Sequence, residues 1–258
     1  LQHADGHSHL LAATNPATVS YDPAYGYEIA HIMRSGLERM YGGNHEDPNV
    51  MYYITLYNEP MVMPAEPENV DVDGIVRGIH RVSVGEGEGP RAQLFASGVG
   101  LPWALEAQQL LKNDWGVIAD VWSVTSWTEL RRDGLAADEH NFLHPEEEPH
   151  TAYLTQKLQG AEGPVVAVSD FMHAVQDQIR PWVPNRFATL GADGFGFSDT
   201  RAAARRFFKI DGPSIVVRTL QSLAEDGVVD RSLAAQAIQK YSLHDVNAGT
   251  SGNAGGES

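Results

Sequence analysis

The chain of 258 residues contains no cysteine. This absence excludes disulfides, thiolate zinc sites, iron–sulfur clusters and a cysteine nucleophile. Basic side chains are also scarce: 18 Lys and Arg face 34 Asp and Glu, a net charge of −16 that argues against nucleic-acid or anionic-membrane binding. No apolar run approaches the ~20 residues that span a bilayer, and no stretch resembles a signal peptide. We therefore expect a cytoplasmic protein with no nucleic-acid and no membrane partner.

The first nine residues hold the densest chemistry in the chain, with three histidines and one aspartate around a glycine. Histidine exchanges protons near neutral pH or presents a ring nitrogen to a metal, and glycine permits a sharp turn. The apolar run 10–13 follows at once, so we expect a buried anchor for this loop. Because the chain starts with Leu1 and the loop lies at its very beginning, we expect a fragment of a longer protein.

Hydrophobic patterning beyond this loop predicts alternating strands and helices. The predicted strands are Thr18–Tyr21, Val50–Leu56, Val76–Val84, Ala92–Ala96, Val117–Val124, Val165–Val168 and Phe187–Leu190. The predicted helices are Pro23–Met40 with Asp22 as N-cap, Leu101–Lys112, Trp127–Asp133, Asp170–Pro181, Pro213–Asp226 and a last one capped by Asp230. The turn Gly85–Pro90 suggests an antiparallel hairpin between the third and fourth strands. The alternation predicts an α/β fold, a mostly parallel sheet with helices on both faces.

Three further motifs carry weaker signals. The turn Gly98-Val99-Gly100 lies between a strand and a helix, but Trp103 occupies the place of the third glycine of a nucleotide fingerprint, which favours a structural turn. The histidines at 140, 144 and 150 surround three glutamates, and neighbouring prolines favour a solvated acidic loop over metal ligation. The run 71–74 lacks most of the ligand positions of a calcium loop.

The opening loop admits two kinds of chemistry. In an extended conformation its alternate positions point to one side, and zinc hydrolases use histidine and aspartate sets of this kind, although in a different order. Alternatively, a loop of imidazoles at a domain edge can hold a carboxylate and transfer protons. The residues in question are His3, Asp5, His7 and His9.

Several stretches together resemble the homodimeric bacterial pyruvate dehydrogenases, the thiamine-diphosphate-dependent decarboxylating component of the pyruvate dehydrogenase complex. The match covers essentially the whole chain except its tail, with Ala4 standing where some relatives have glutamate. The matching stretches are Gln2–His9, Ser20–Tyr25, Gly36–Tyr41, Tyr53–Glu59, Ser123–Ser126, Thr128–Leu130, Arg132–Gly134 and Gly191–Gly196.

The resemblance implies a transketolase-like architecture of which this chain holds only the later part. Residues 1–62 would end the middle, pyrimidine-binding domain, 63–75 would form a linker and 76–246 the C-terminal domain, with a disordered Gly/Ser/Asn-rich tail at 247–258. The domain that binds the diphosphate and magnesium would lie outside this chain. We therefore expect the fragment alone to be inactive, and we assign no metal ligand within it.

The resemblance also implies an activity, cofactors and partners. Family members decarboxylate pyruvate on thiamine diphosphate with Mg²⁺ and transfer the acetyl group to the lipoyl group of dihydrolipoyl transacetylase. The implied partners are the rest of the enzyme, a second subunit of a homodimer and the transacetylase. His3 and His9 match the family's catalytic positions, and His3, Asp5 and His7 lie in the stretch near the cofactor.

Two other classes of function remain open at this point. A metal-dependent hydrolase that used the His3/Asp5/His7/His9 loop would carry stoichiometric metal and would lose activity to a chelator. A non-catalytic dimerisation module would tolerate replacement of the loop histidines without any kinetic effect.

Overall fold

The computed structural model describes residues 6–43 and 47–249. The strands are β1 (Thr18–Tyr21), β2 (Met51–Ile54), β3 (His80–Ser83), β4 (Arg91–Ala96), β5 (Ile118–Ser123), β6 (Val165–Val168) and β7 (Phe187–Leu190). The helices are α1 (Ser8–Ala13), α2 (Gly26–Tyr41), α3 (Val72–Arg77), α4 (Gly100–Trp115), α5 (Trp127–Leu143), α6 (Tyr153–Lys157), α7 (His173–Asp177), α8 (Arg201–Phe208), α9 (Gly212–Glu225) and α10 (Ser232–Lys240). Short 3-10 turns occur at Arg180–Trp182 and Val246–Ala248. Within the described ranges, no helix has the length and apolar character needed to cross a membrane.

Strands β3 to β7 form one sheet in the order β3-β5-β4-β6-β7. Strands β4 to β7 are parallel to their neighbours, and β3 is antiparallel to β5 at one edge. The strands β5 and β6 are buried at every position, as is β4 from Ala92 onwards. Burial on both faces is the mark of a parallel sheet sandwiched by helices. The predicted α/β fold with a mostly parallel sheet is confirmed.

Alternate side chains of the central strands fill two separate cores. On β4, Leu94 and Ala96 pack with α4, α9 and α10, whereas Phe95 packs on the opposite face with α5, α6 and α7. Strand β6 repeats the pattern, with Val166 on the first face and Val165 on the second. This period of two follows from the pleat of a β-strand. Helices therefore cover both faces of the sheet, and a crevice can form where successive helices pack on opposite faces.

Strands β1 and β2 form a separate two-stranded parallel sheet. Its small core joins the sheet to α2 and α3 and consists of Val19, Tyr21, Ile32 and Ile75. Side chains of α5 and of its N-cap residue bond to the β1 backbone: Arg132 Nη2 donates to Thr18 O at 2.7 Å and the N-cap Ser126 Oγ donates to Ser20 O at 2.6 Å. The small sheet is thereby tied to the larger one through α5.

The predicted hairpin between residues 76–84 and 92–96 is wrong. Strand β5 lies between β3 and β4 and pairs with both. Residues 76 and 77 belong to α3, because Asp71 Oδ1 accepts the Gly74 N–H at 2.9 Å at its start and Gly78, with a φ of 112°, ends it. Gly85 N–H donates to the Asp120 carboxylate of β5 at 2.8 Å, which binds the turn after β3 to β5.

Several predicted helices differ in extent. Helix α2 begins at Gly26, three residues later than predicted, because Glu28 rather than Asp22 accepts the free backbone N–H groups of Ala24 (2.6 Å) and Tyr25 (3.0 Å). The predicted helix 170–181 is only α7 and a 3-10 turn. Helix α5 runs ten residues further than predicted, and α1 begins inside the opening loop.

The predicted domain limits fall in irregular or undescribed stretches. Residues 55–71, between β2 and α3, contain no regular helix or strand. The predicted linker 63–75 lies mostly here, and its last four residues begin α3. The division into 1–62, 63–75 and 76–246 stays a prediction. Of the predicted disordered tail, 250–258 lie outside the described residues, and residues 247–248 belong to a 3-10 turn.

Candidate functional site

A crevice opens at the carboxyl ends of the two adjacent parallel strands β4 and β6. Helix α4, which follows β4, packs on one face of the sheet, whereas α7, which follows β6, packs on the other. Such a divergence of the chain is the usual place of ligand sites in open α/β sheets. The crevice has a volume of about 620 Å³, and its walls come from five separate stretches of chain, including His7, Glu59, Asp170, Ala192 and Arg205.

A wider cavity lies elsewhere and has less to support it as a site. Its volume is about 1190 Å³, and it opens beside the amino ends of β6 and β7, between α5 and the segment that carries α6. Its walls include His140, His150 and Asp133, but no residue of the opening loop. The crevice at the carboxyl ends of the strands is therefore the better candidate.

Two arginines of α8 face the crevice with Glu59 between them. Arg201 and Arg205 are one helical turn apart, so their side chains lie on one face of α8. Arg205 is buried, forms an ion pair with Glu59, and lies 4.7 Å above the ring of Trp103. Arg201 Nε is 3.8 Å from the same carboxylate. Glu59, which follows the small sheet, is thus held by a helix of the large sheet's unit.

Asp170 is the second residue after β6, and it faces the crevice. Burial raises the pKa of its carboxyl from the usual 3.8 to about 6. The Arg205 guanidinium opposes this rise, whereas the carboxylates of Asp22 and Glu59 add to it. A carboxyl with such a pKa changes protonation close to physiological pH, which is a common property of functional sites.

A fully buried carboxylate, Asp22, lies behind the crevice and joins the two sheets. Its oxygens accept hydrogen bonds from Thr55 Oγ1 (2.7 Å), Tyr57 Oη (2.8 Å) and Ser97 Oγ (2.6 Å). Its backbone N–H donates to Thr125 O at 2.8 Å. Three hydroxyl donors compensate the carboxylate for its loss of water. Asp22, predicted as a helix cap, is instead the bond between the small sheet and the loop after β4.

The structure separates the two predicted histidines that it describes. His7 is exposed and lines the crevice. His9 is only 2% exposed; its ring meets Phe171 edge-on at 4.6 Å, and its Nε2 is 3.1 Å from Thr55 Oγ1. The expectation that alternate residues point to one side fails here, because α1 begins at Ser8 and successive helical residues rotate about the axis. His3 and Asp5 lie outside the described residues.

The weaker motifs have structural roles. The φ of Gly98 is 49°, and a Cβ there would lie 2.6 Å from the ring of Tyr57, so this turn needs glycine for packing. Asp71 caps α3 and pairs with Lys157 Nζ at 2.5 Å. The ring of His140 stacks on that of His150 with centroids 3.4 Å apart. Among the residues that the structure describes, no group of three or more side chains is placed to hold a metal ion.

The family model for the transketolase-like C-terminal domain matches residues 78–211, more than half of the chain. The chain belongs to this family. The model for the middle domain of the pyruvate dehydrogenase E1 component matches residues 1–64. The crevice of this transketolase-like chain therefore has walls from both matched stretches, with His7 and Glu59 from the first, and Asp170 and Arg205 from the second.

Curated relatives are pyruvate dehydrogenase E1 components, as the resemblance predicts. The chain is 58% identical over 250 residues to that of Mycolicibacterium smegmatis, 56% over 249 residues to that of Mycobacterium tuberculosis, and 46% over 244 residues to that of Escherichia coli K12. These matches cover 96%, 96% and 94% of this chain but only 27% of each relative. The chain thus spans about a quarter of the length of these relatives and is similar to their C-terminal portion.

Solved structures confirm the predicted transketolase-like fold. A split-gene transketolase, an inactive beta4 tetramer, superposes with a TM-score of 0.59 at 16% identity. The match covers 86% of this chain and 62% of that one. A transketolase from Leishmania mexicana gives a TM-score of 0.57 at 15% identity, covering 90% of this chain and 30% of that one. At such identities the likeness shows the fold alone.

The described residues form no site for Mg²⁺ or for the diphosphate of thiamine diphosphate. No group of potential metal ligands converges among them, and the Gly98 turn, the nearest approach to a phosphate loop, is filled by Tyr57.

Sequence reasoning missed the polar side chains of the crevice. Glu59, Asp170 and Arg205 are far apart in the chain; Glu59 ends one of the stretches that match the family, whereas Asp170 and Arg205 belong to none of them. One signal was available: Asp170 follows the predicted strand 165–168 closely, and ligand sites collect at the carboxyl ends of parallel strands.

Proposed function

We propose that this chain is the C-terminal portion of a thiamine-diphosphate-dependent pyruvate dehydrogenase E1 component. The whole enzyme would decarboxylate pyruvate and pass the acetyl group to the lipoyl group of a dihydrolipoyl transacetylase in the cytoplasm. The observation that carries the proposal is the 58% identity over 250 residues to an E1 component, which includes nearly the whole chain. Thiamine diphosphate and Mg²⁺ would be held mainly by parts of the enzyme outside this chain.

Within that enzyme, the chain would supply the histidine segment at the substrate end of the active site. His3 would orient the pyruvate carboxylate or the bound intermediate, with Asp5 and His7 beside the cofactor. His9 has no crevice surface, so a catalytic role for it requires a different placement of its ring from the one described. We propose that this imidazole supports the loop.

The surface of the chain is consistent with packing against further protein. Helix α2 exposes an apolar stripe at every fourth residue, with exposed fractions of 52%, 53% and 80% for Met33, Leu37 and Tyr41. Contiguous exposed apolar surface commonly marks an interface. The rest of the enzyme and a second subunit of a homodimer are the occupants that the proposal implies.

Replacement of His3 tests the proposed role directly. In the full-length enzyme, His3→Ala should lower turnover by about 10²–10⁴, the usual effect of removing a positioned proton-transfer group. Affinity for thiamine diphosphate should change much less, because the diphosphate is held elsewhere. The measurement is steady-state pyruvate decarboxylation with an artificial electron acceptor, together with a cofactor titration.

The exposed His244, which has no hydrogen bond or ion pair among the described residues, offers the matched control His244→Ala. This variant should retain full turnover. Near-normal turnover of His3→Ala with lost cofactor binding would contradict the assigned role. Unchanged turnover and unchanged cofactor binding would instead favour a non-catalytic dimerisation module.

A further inference from the structure

The C-terminal sheet holds the opening histidine segment through the loop that follows β6. Met172 N–H donates a hydrogen bond to Gly6 O at 2.9 Å, and the preceding residue, Phe171, contacts the His9 ring edge-on at 4.6 Å. A Cβ on Gly6 would lie 2.9 Å from the Ala192 carbonyl oxygen of the next loop. Consecutive residues of one loop thus contact both ends of the stretch 6–9.

The loops after β6 and β7 are themselves bound to each other. Ala192 N–H donates to Phe171 O at 2.8 Å. The fully buried Gln176 donates to Ser169 Oγ and, at 3.2 Å, to Leu190 O. A Cβ on Gly191 would lie 2.7 Å from Phe171 O, so the two loops approach as closely as backbone allows. They form a rigid support in which each loop limits the movement of the other.

The small sheet holds the same segment from the other side. His9 Nε2 is 3.1 Å from Thr55 Oγ1, and that hydroxyl donates to Asp22 Oδ1 at 2.7 Å. Asp22 in turn accepts from Ser97 Oγ, which follows β4. The stretch 6–9 is therefore held on one side by the loops after β6 and β7 and on the other by Thr55, which follows the small sheet. Both supports connect to the carboxyl ends of the strands of the large sheet.

We infer that the loops after β6 and β7 act as a clamp that positions the histidine segment over the crevice, with Gly6, His9 and Phe171 as positioning residues. The inference rests on the proposed function for its effect on turnover. The clamp supplies no chemistry; it holds Gly6 and His7 at the wall of the crevice. A displacement of about 1 Å in a positioned group can cost up to about 10²-fold in rate.

A pair of glycine substitutions tests the clamp. In the full-length enzyme, Gly6→Ala places a methyl group against a backbone oxygen that cannot move aside, whereas Gly26→Ala, at the start of α2, meets no atom within 4 Å. We expect Gly6→Ala to lower kcat by about 10–100-fold. Its affinity for thiamine diphosphate and its thermal midpoint should equal those of the Gly26→Ala control. The KM for pyruvate should change less than kcat.

A second pair of variants guards against a merely structural effect. Phe171→Leu removes the ring edge that His9 contacts, whereas Phe171→Tyr retains the ring and should restore most of the turnover. Hydrogen exchange of the amides of residues 7–13 should become faster in Gly6→Ala and Phe171→Leu but not in Gly26→Ala.

The outcomes separate the inference from the function on which it rests. Wild-type enzyme without pyruvate decarboxylation would overturn the proposed function, and the exchange measurement would still judge the clamp. If the enzyme is active and Gly6→Ala shows the same kcat and the same amide exchange as Gly26→Ala, the inference of a clamp is overturned. Equal turnover of Phe171→Leu and wild type would overturn the part assigned to Phe171.

Discussion

Asp170 shows how the crevice perturbs a single side chain. Its carboxyl lies where three other charged groups meet, one guanidinium and the carboxylates of Glu59 and Asp22. Burial disfavours the charged form of Asp170, and the two neighbouring carboxylates offset part of the stabilisation that the Arg205 guanidinium gives to it. Among the described residues, no hydrogen bond or ion pair to the Asp170 side chain compensates for this cost.

The raised pKa makes a prediction about stability. Because the folded-state pKa of about 6 exceeds the usual 3.8, the folded protein binds this proton more tightly than the unfolded chain. The contribution of Asp170 to stability therefore falls as pH rises from about 4 to about 6, and stays low above that. Asp170→Asn should raise the free energy of unfolding at pH 7 by up to about 3 kcal/mol.

Urea unfolding of wild type and variant between pH 4.5 and 8 measures this difference. The exposed Glu86 has no hydrogen bond or ion pair among the described residues, so Glu86→Gln is the control. The gap between Asp170→Asn and wild type should widen up to about pH 6, and the gap for Glu86→Gln should not. Parallel pH profiles for wild type and Asp170→Asn would refute the account of this carboxyl.

At the scale of elements, a buried hydrogen bond between Glu28 and His80 joins α2 to β3. Glu28 Oε1 lies 2.6 Å from His80 Nε2, with the two side chains 0% and 2% exposed. The other Glu28 oxygen accepts two backbone N–H groups at the start of α2. One carboxylate thus begins the helix and also attaches it to the edge strand of the large sheet.

Removal of His80 should be costly, because it leaves the buried Oε1 of Glu28 without this partner. His80→Leu, a change of similar volume, should lower the free energy of unfolding by about 3–5 kcal/mol. The more accessible pair of His31 and Glu66, 2.8 Å apart and with side chains 18% and 46% exposed, offers a comparison, and His31→Leu should cost about 1 kcal/mol or less. Equal losses for the two variants in urea unfolding at pH 7 would show that burial of the pair is unimportant.

At the scale of the whole molecule, hydrogen bonds join the small sheet to the large one. Asp22, directly after β1, accepts from Ser97 after β4, and β1 carbonyls accept from Arg132 of α5 and from its N-cap residue Ser126. A two-stranded sheet is marginal by itself, so these bonds and the contacts of α2 and α3 make its stability dependent on the larger unit.

We therefore expect the small and large sheets to open together. In native-state hydrogen exchange, amides of β1 and β4 should share one opening free energy, and Asp22→Ala should lower both by at least about 2 kcal/mol, since three hydroxyls lose a charged acceptor. Asp73, whose side chain is 71% exposed, offers the control Asp73→Ala, which should leave both unchanged. Loss of protection in β1 alone would mean that the small sheet opens independently.

Elements whose residues all face a core were predictable from the sequence. The strands at 18–21, 165–168 and 187–190 have the predicted bounds, because each is a short run rich in β-branched and apolar residues, of which all but Leu190 are buried. Helix limits were less predictable where a distant residue supplies the cap or competes for it. Asp22 is the example: its carboxylate accepts hydroxyls from residues more than thirty positions away, and Glu28 takes its place at the helix start.

The sequence by itself determined the α/β alternation, the resemblance to pyruvate dehydrogenase and the candidate histidines, since these depend on local periodicity and on residue identities in order. Only the tertiary structure decided the strand order, the crevice and the burial of His9. Strand order depends on which strands hydrogen-bond along each edge, and no local pattern shows that β5 lies between β3 and β4. The crevice brings together Glu59, Asp170 and Arg205, and residues so distant in the chain become neighbours only when packing of the two cores brings the strand ends and α8 to one place.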